Sequence, residues 1–517
     1  MKKIDRIILI SIIIVGILLR LLFINSAPAG FNQDEASIGY EAYAIANYGI
    51  DRNGRTLPVH LISWGSGQNA LYAYLCIPFI KILGNSVLAT RLPMALIGCL
   101  SILAVAFFVQ RYTKLKQPYK LFTIFLFAIF PWHILKSRWG LESNLFPDLI
   151  LYSSILLYAH IKKHKVLPLV ASAVILGLST YAYGTSYVFV PVFIIAIAAL
   201  LLKARKLKVK NLLLFTAIAG AVSAPIICFV IINYFDLPEF KLFGIFTIPR
   251  LDYNRFSEIA NVNGNFFSNA AQNLKNAFLM TANQADKQPL NFVPHYGIFY
   301  LFSLPFIVYG IVVALVKKRK NVTLKIASAF LIASIIVAAM VQPNINRDNG
   351  LWLPLFVFLC VGLIDIIKRR KIFAYTMTAL YFVCACAFQV NYYTDYQKAI
   401  RPAMRVGLKQ AILRAESERK EGIAVNVNAS SAYIFYLYYA KIDPNYYYET
   451  VSIPKKKVMF QNVQHFGDDD HLISFDTIRE FKENQIYVLS TTEAQKIQHR
   501  HCTSEKIGDY SVINCIK

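Results

Sequence analysis

An acidic pair, Asp34-Glu35, follows the first long apolar run and opens a short helical pattern. Ile38, Ala42 and Ile45 recur at spacings of four and three before Asn47 and Gly49 stop it. A carboxylate at the end of a membrane helix stands where water meets lipid, and there it can act as general base on an acceptor hydroxyl. Neighbouring residues on a helix point about 100° apart, so one acid of the pair serves and the other supports. The competing reading is structural: Asp34, just before Ala36, suits a helix N-cap.

A second candidate lies in Lys136-Ser137-Arg138-Trp139-Gly140-Leu141-Glu142-Ser143-Asn144, read as a loop between the third and fourth apolar runs. Glu142 supplies another carboxylate, and Arg138 suits a phosphate or an acid through a forked hydrogen bond. An Arg and Trp interface anchor is the plainer alternative. A third candidate is Asn344-Ile345-Asn346-Arg347-Asp348, where a guanidinium at a membrane boundary suits a lipid phosphate. A surface pair between Arg347 and Asp348 competes with it. His60 joins the donor-binding candidates, whereas His60 and His295 form no metal-ligand spacing. Asp468-Asp469-Asp470, beside Gly467, reads as a solvated turn rather than a metal motif. No P-loop, dinucleotide fingerprint, HExxH or nucleophile elbow is present.

The elements that must position these residues are membrane helices. Of 517 residues 56% are hydrophobic, and separated runs of about 18 or more apolar residues mean a polytopic membrane protein. The net charge of +25 does not indicate nucleic acid. Residues 391–517 hold 17 Lys+Arg against 15 Asp+Glu, and the excess lies mainly in short loops between apolar runs. About eleven spans are expected, the first uncleaved because Arg20 interrupts its signal-like run. The loops around Arg111, Lys162, Lys203, Lys317 and Lys368 are basic, as is the start at Lys2, Lys3 and Arg6, whereas the short alternate loops hold only Lys136, Arg138 and Arg347. The positive-inside rule then puts the N-terminus in the cytoplasm, and the tail and the long loops 25–90 and 233–296 outside. Asn69–Leu83, interrupted by Pro78 and Lys81, is expected to lie in the interface. Residues 1–390 form the membrane domain. Residues 391–517 mix a helical stretch with strands near 422–428, 485–490 and 510–515, and form a small extracytoplasmic α/β domain. Six cysteines in or beside apolar runs are expected to be inert, and Cys502 and Cys515 could form a disulfide in an oxidising compartment.

Asp34-Glu35-Ala36, Gly39-Tyr40, Gly49-Ile50-Asp51-Arg52-Asn53-Gly54, Leu57-Pro58 and Ala89-Thr90-Arg91-Leu92-Pro93, with Ser137-Arg138-Trp139-Gly140-Leu141-Glu142, resemble the membrane glycosyltransferases of the GT-C class. The likeness is greatest to the protein O-mannosyltransferase and lipid A aminoarabinose transferase branch. It covers about residues 34–144 by motif and continues to the last span by topology; nothing in the tail carries it. The resemblance implies transfer of a single sugar from a polyprenyl-phosphate donor to a hydroxyl of a protein, glycan or glycolipid acceptor on the outer face. It implies Asp34 as the base. The second acid of these relatives is commonly Asp, where this chain has Glu142. A base on the face of the sugar opposite the leaving phosphate favours inversion, and Arg138 or Arg347 would meet the charge that develops on departure. The leaving group carries its own phosphate, so a divalent metal is possible but not chemically required. Two other classes compete: a transporter or lipid flippase of envelope precursors, and a membrane-anchored binding or assembly protein. Charges gathered at span ends favour the enzyme over the transporter, whose ionisable groups sit near the midplane.

Overall fold

The computed structural model describes residues 2–64, 67–251, 265–317, 321–429, 431–452, 465–467, 471–472, 478–497 and 501–516. Asp468-Asp469-Asp470 lies outside them. The first ten helices are α1 Lys3–Leu21, α2 Gln33–Tyr48, α3 Leu71–Leu83, α4 Val87–Tyr112, α5 Gln117–Ala128, α6 Pro131–Ser137, α7 Glu142–Lys163, α8 Val166–Leu178, α9 Ser186–Ile197 and α10 Val209–Tyr234. Later helices include Phe266–Asn283, Leu304–Val316, Val322–Met340, Trp352–Ile367 and Lys371–Tyr393.

Every apolar run expected to span is helical, but fewer meet the requirements for crossing. Among the described residues five helices are long and apolar enough: Val87–Tyr112, Val209–Tyr234, Val322–Met340, Asn349–Ile367 and Ile372–Tyr393. Together α5 and α6 make a sixth if their 49° bend is one broken span. Pro131 opens α6, where its missing N–H and fixed φ suit a helix start but not a helix interior. Four more apolar helices are short, so eleven full crossings are not established by length and composition.

The chain forms two compact units. The first comprises Met1–Ile24, Met94–Ile227 and Arg255–Ala399. Small residues let its helices approach closely: a Cβ on Gly310 would strike the carbonyl of Phe358, and one on Gly362 that of Phe306. Ser153 and Ser172 exchange hydrogen bonds of 2.7–3.0 Å between α7 and α8. Phe189 and Phe193 of α9 pack edge-on against Phe330.

The second unit comprises Asn25–Pro93, Cys228–Asn254 and Ile400–Lys517. Its four-stranded sheet runs in the order Ala424–Val427, Gln485–Ser490, Tyr510–Asn514, Thr503–Ile507. The first pair is parallel and the others antiparallel. The tail therefore has the expected α/β character, and Cys502 and Cys515 are joined as a disulfide. This unit cuts across a division at residue 390. Phe31, Ala36, Tyr40 and Trp64 of the first loop share one core with Tyr433, Phe435, Tyr436 and Leu437 of the tail helix Ala432–Ala440, all but Trp64 at 0% exposure. Burial of such side chains contributes about 1.5–3 kcal/mol each.

Candidate active site

Helix α2 begins with a capping box. Asn32 is the N-cap: its side chain accepts from the Asp34 amide at 2.9 Å, and the Asn32 amide donates to Glu35 Oε2 at 3.2 Å. The cap is thus Asn32 and not Asp34. Asp34 is half-buried at the second helical position, where an acid complements the helix dipole. The chain enters from Gly30, whose φ of +81° and whose contact with the Met404 carbonyl leave no room for a Cβ. The adjacent Phe31 amide donates to that carbonyl at 2.6 Å.

Glu35 is committed elsewhere. It is fully buried and receives Arg91 in a fork, Nε to Oε1 at 2.8 Å and Nη2 to Oε2 at 2.9 Å. Arg91 also donates to the carbonyls of Pro28 at 2.6 Å and Gly30 at 2.9 Å, and lies 5.6 Å over the Phe31 ring. One guanidinium therefore ties together the approach, the cap and the first turn. Of the adjacent acids, Asp34 is the more exposed, half-buried where Glu35 is fully buried. Glu35 holds the helix in place.

A second arginine secures the same helix one and a half turns on. Arg52 pairs with Glu41 at 3.0 Å, both fully buried, and its backbone N–H donates to the same carboxylate at 3.0 Å. Arg52 also donates to Ser37 Oγ at 3.0 Å and to Ser63 Oγ, and stands 5.7 Å from the Trp64 ring and 5.8 Å from the Tyr433 ring. Asp51 forms the turn before it, accepting from the amides of Asn53 at 2.9 Å and Arg55 at 2.8 Å. The Gly49–Gly54 motif thus builds a mount for α2. His60 is buried in this unit and stacked on Phe229 at 4.2 Å. Burial lowers its pKa to about 4, so near pH 7 the ring carries no charge for a phosphate.

The other candidates lie in the first unit. Lys136 and Ser137 are not in a loop: α6 runs through Ser137, and the connection to α7 is only Arg138–Leu141. Arg138 is buried and donates to the carbonyls of Leu19 at 3.0 Å and Leu22 at 2.7 Å, and to Tyr392 Oη at 3.1 Å. Those contacts anchor the end of α1. Glu142 is the first residue of α7 and is buried.

In the turn after Val322–Met340, Asn344 Oδ1 accepts from the Arg347 amide at 2.8 Å, and the Asn344 carbonyl accepts from the Asp348 amide at 2.9 Å. Arg347 is half-buried and reaches the Gln342 carbonyl at 3.3 Å. No Arg347–Asp348 ion pair forms among the described residues, and Asp348 is buried rather than on the surface. Among the described residues neither Asp348 carboxylate oxygen has a hydrogen-bond partner, and burial pushes its pKa up to about 8. The next residue, Asn349, donates to the Ser143 carbonyl at 2.8 Å. Within the first unit, this bond joins the residue after Glu142 to the residue after Asp348. Asp34 and Glu35 belong to the second unit.

A buried charge network was not anticipated from the sequence. Lys136 pairs with Asp148 and donates to the Asn144 carbonyl at 3.2 Å. His133 Nε2 meets Asp148 Oδ1 at 3.2 Å, and Ser101 donates to the same oxygen at 2.7 Å. Arg20 reaches His133 Nδ1 at 2.8–3.2 Å and the Ala128 carbonyl at 3.0 Å. Arginine can only donate, so His133 Nδ1 is the acceptor and Nε2–H points at Asp148. Ionisable groups therefore do occur within the helices of the first unit. Here they bond to one another and link α1, α4, α6 and α7. Among the described residues no group of three or more His, Cys, Asp and Glu side chains is placed to hold a metal ion.

No protein-family model and no curated protein matches the sequence. Solved structures do match. ArnT from Cupriavidus metallidurans bound to undecaprenyl phosphate aligns over 98% of this chain and 97% of its own, with a TM-score of 0.56 and 11% identity. The Archaeoglobus fulgidus oligosaccharyltransferase tethered with an acceptor peptide aligns over 85% of this chain and 63% of its own, with a TM-score of 0.52 and 15% identity. A second structure of that enzyme, AglB with an inhibitory peptide and a dolichol-phosphate, gives a TM-score of 0.50 at 14% identity over 85% of this chain and 64% of its own. The chain spans less than two thirds of the length of the archaeal structures it matches. It is a multi-pass membrane protein with the fold of the GT-C-type glycosyltransferases.

Proposed function

We propose that this protein transfers a single sugar from a polyprenyl-phosphate donor to an acceptor hydroxyl, with Asp34 as general base. The observation that carries the reading is the division of labour in the acidic pair. Glu35 is fully buried in a forked bond to Arg91, while Asp34 stands half-buried at the mouth of a helix fixed by two arginines. The fold shared with ArnT bound to undecaprenyl phosphate supports a lipid-phosphate donor and favours an enzyme over a transporter.

In the reaction the Asp34 carboxylate takes the acceptor O–H proton as that oxygen bonds to the sugar's anomeric carbon. The carbon–oxygen bond to the polyprenyl phosphate breaks, and its electron pair leaves on the phosphate oxygen. Arg347, whose side chain donates to the Gln342 backbone carbonyl, is assigned to balance that charge, with Asn344 shaping its turn. Glu142 is the second acid. Arg138 and His60 fit anchoring roles better than phosphate binding. Transfer takes place on the outer face, with the N-terminus cytoplasmic; the Cys502–Cys515 disulfide fits an oxidising compartment for the tail.

The test is transfer of labelled sugar from purified polyprenyl-phosphate sugars to cell-envelope acceptors. Asp34→Asn should lose about 10²–10⁴-fold in rate while its unfolding midpoint stays within experimental error of the parent. Full activity in Asp34→Asn would remove the base assignment.

A further inference from the structure

We propose that the first unit holds an anionic phospholipid in a cavity between its helices, in the leaflet beside its basic loops. The cavity is about 580 Å³ and is walled by apolar side chains, among them Val105 and Phe108 of α4, Phe127 of α5, and Phe330 and Phe356 of the later helices. Four lysines line the same cavity: Lys114, Lys162, Lys206 and Lys368. Each follows or ends a different apolar helical segment, and all four are exposed. No aspartate or glutamate lines the cavity, and none of the four lysines forms an ion pair among the described residues. Lys162 and Lys368 rest over the rings of Tyr158 at 5.6 Å and Tyr119 at 5.5 Å, which steadies the ammonium groups.

Charge complementarity identifies the occupant. Four cations without counter-charge call for a phosphate, and an apolar chamber of this size behind them calls for hydrocarbon. Basic pockets between membrane helices bind anionic head groups in this way. A free phosphate would satisfy the lysines and leave the chamber unfilled. The proposal is independent of sugar transfer: it concerns a bound membrane lipid, whatever reaction the protein catalyses.

The experiment uses the full-length protein, delipidated and then given phosphatidylglycerol or phosphatidylcholine, with bound lipid counted by native mass spectrometry. The parent should retain phosphatidylglycerol in preference to phosphatidylcholine. The triple variant Lys114→Gln, Lys206→Gln, Lys368→Gln changes only exposed side chains and should lose that preference, about fivefold for each lysine. Ala327→Phe, which fills the chamber from a lining residue, should lower retention of both lipids, and millimolar inorganic phosphate should displace neither. Equal retention of the two lipids by the parent would overturn the proposal. So would an unchanged preference in a triple variant with the parent's unfolding curve, or displacement by inorganic phosphate alone.

Discussion

The Glu35–Arg91 bond makes the sharpest demand on the structural reasoning. Glu35→Gln keeps an oxygen for the Asn32 amide, so the capping box survives. What is lost is the charge opposite Arg91, which is itself fully buried. Removing one partner of a buried pair costs about 3–5 kcal/mol because the other charge is left uncompensated. Arg91→Met should cost at least as much, since the hydrogen bonds to the Pro28 and Gly30 carbonyls go with it at about 1 kcal/mol each. The double variant removes both charges and should recover part of the loss, a coupling of about 2 kcal/mol or more. Chemical unfolding in mixed micelles measures the three variants, and sugar transfer is read alongside. Glu35→Gln should keep measurable transfer because Asp34 remains. The reasoning is refuted if each single variant costs less than about 1 kcal/mol and the two effects simply add: Glu35 would then be a solvated acid and a second candidate for the base.

Two further outcomes follow from buried groups. His60 has its pKa lowered from 6.5 to about 4, so the unfolded chain takes up a proton that the folded chain refuses. The stability present above pH 6.5 is lost as pH falls towards 4, by about 3 kcal/mol in all. His60→Phe, keeping the stack on Phe229, should flatten that part of the stability profile. Asp148→Asn keeps an acceptor for Ser101 but leaves Lys136 without its counter-charge, and should lower stability by about 3–5 kcal/mol. Lys136→Met combined with Asp148→Leu should recover most of that loss; failure to recover would show the network is not held by charge compensation.

The parts legible in the sequence are those encoded locally. Apolar runs gave helices, and Asn47 and Gly49 marked the end of α2, which closes at Gly49 in the left-handed conformation. The cap was also local: Asn32 and Glu35 stand at capping-box spacing, a signal overshadowed by the acidic pair. What stayed hidden depends on partners far along the chain. Arg91 meets Glu35 across 56 residues, and no short pattern encodes that. Asp148 and His133 were legible as residue types in apolar helices, yet their satisfaction by Arg20 and Lys136 could not be read from spacing. The aromatic run Tyr433–Tyr439 carried no recognisable motif because its role is to fill space beside α2. That shared core also spoils truncation as a test: deleting the tail would dismantle the mount of Asp34 whether or not the tail does chemistry.

The same shared core sets an order of events in biosynthesis. Residues 25–93 leave the ribosome more than three hundred residues ahead of the segment 400–517 that completes their interior. Through all the intervening membrane insertion, Phe31 and Tyr40 must wait without their packing partners. The helix bearing Asp34 therefore sets only when the last stretch arrives, and a nascent or interrupted chain carries the acid without the means to aim it.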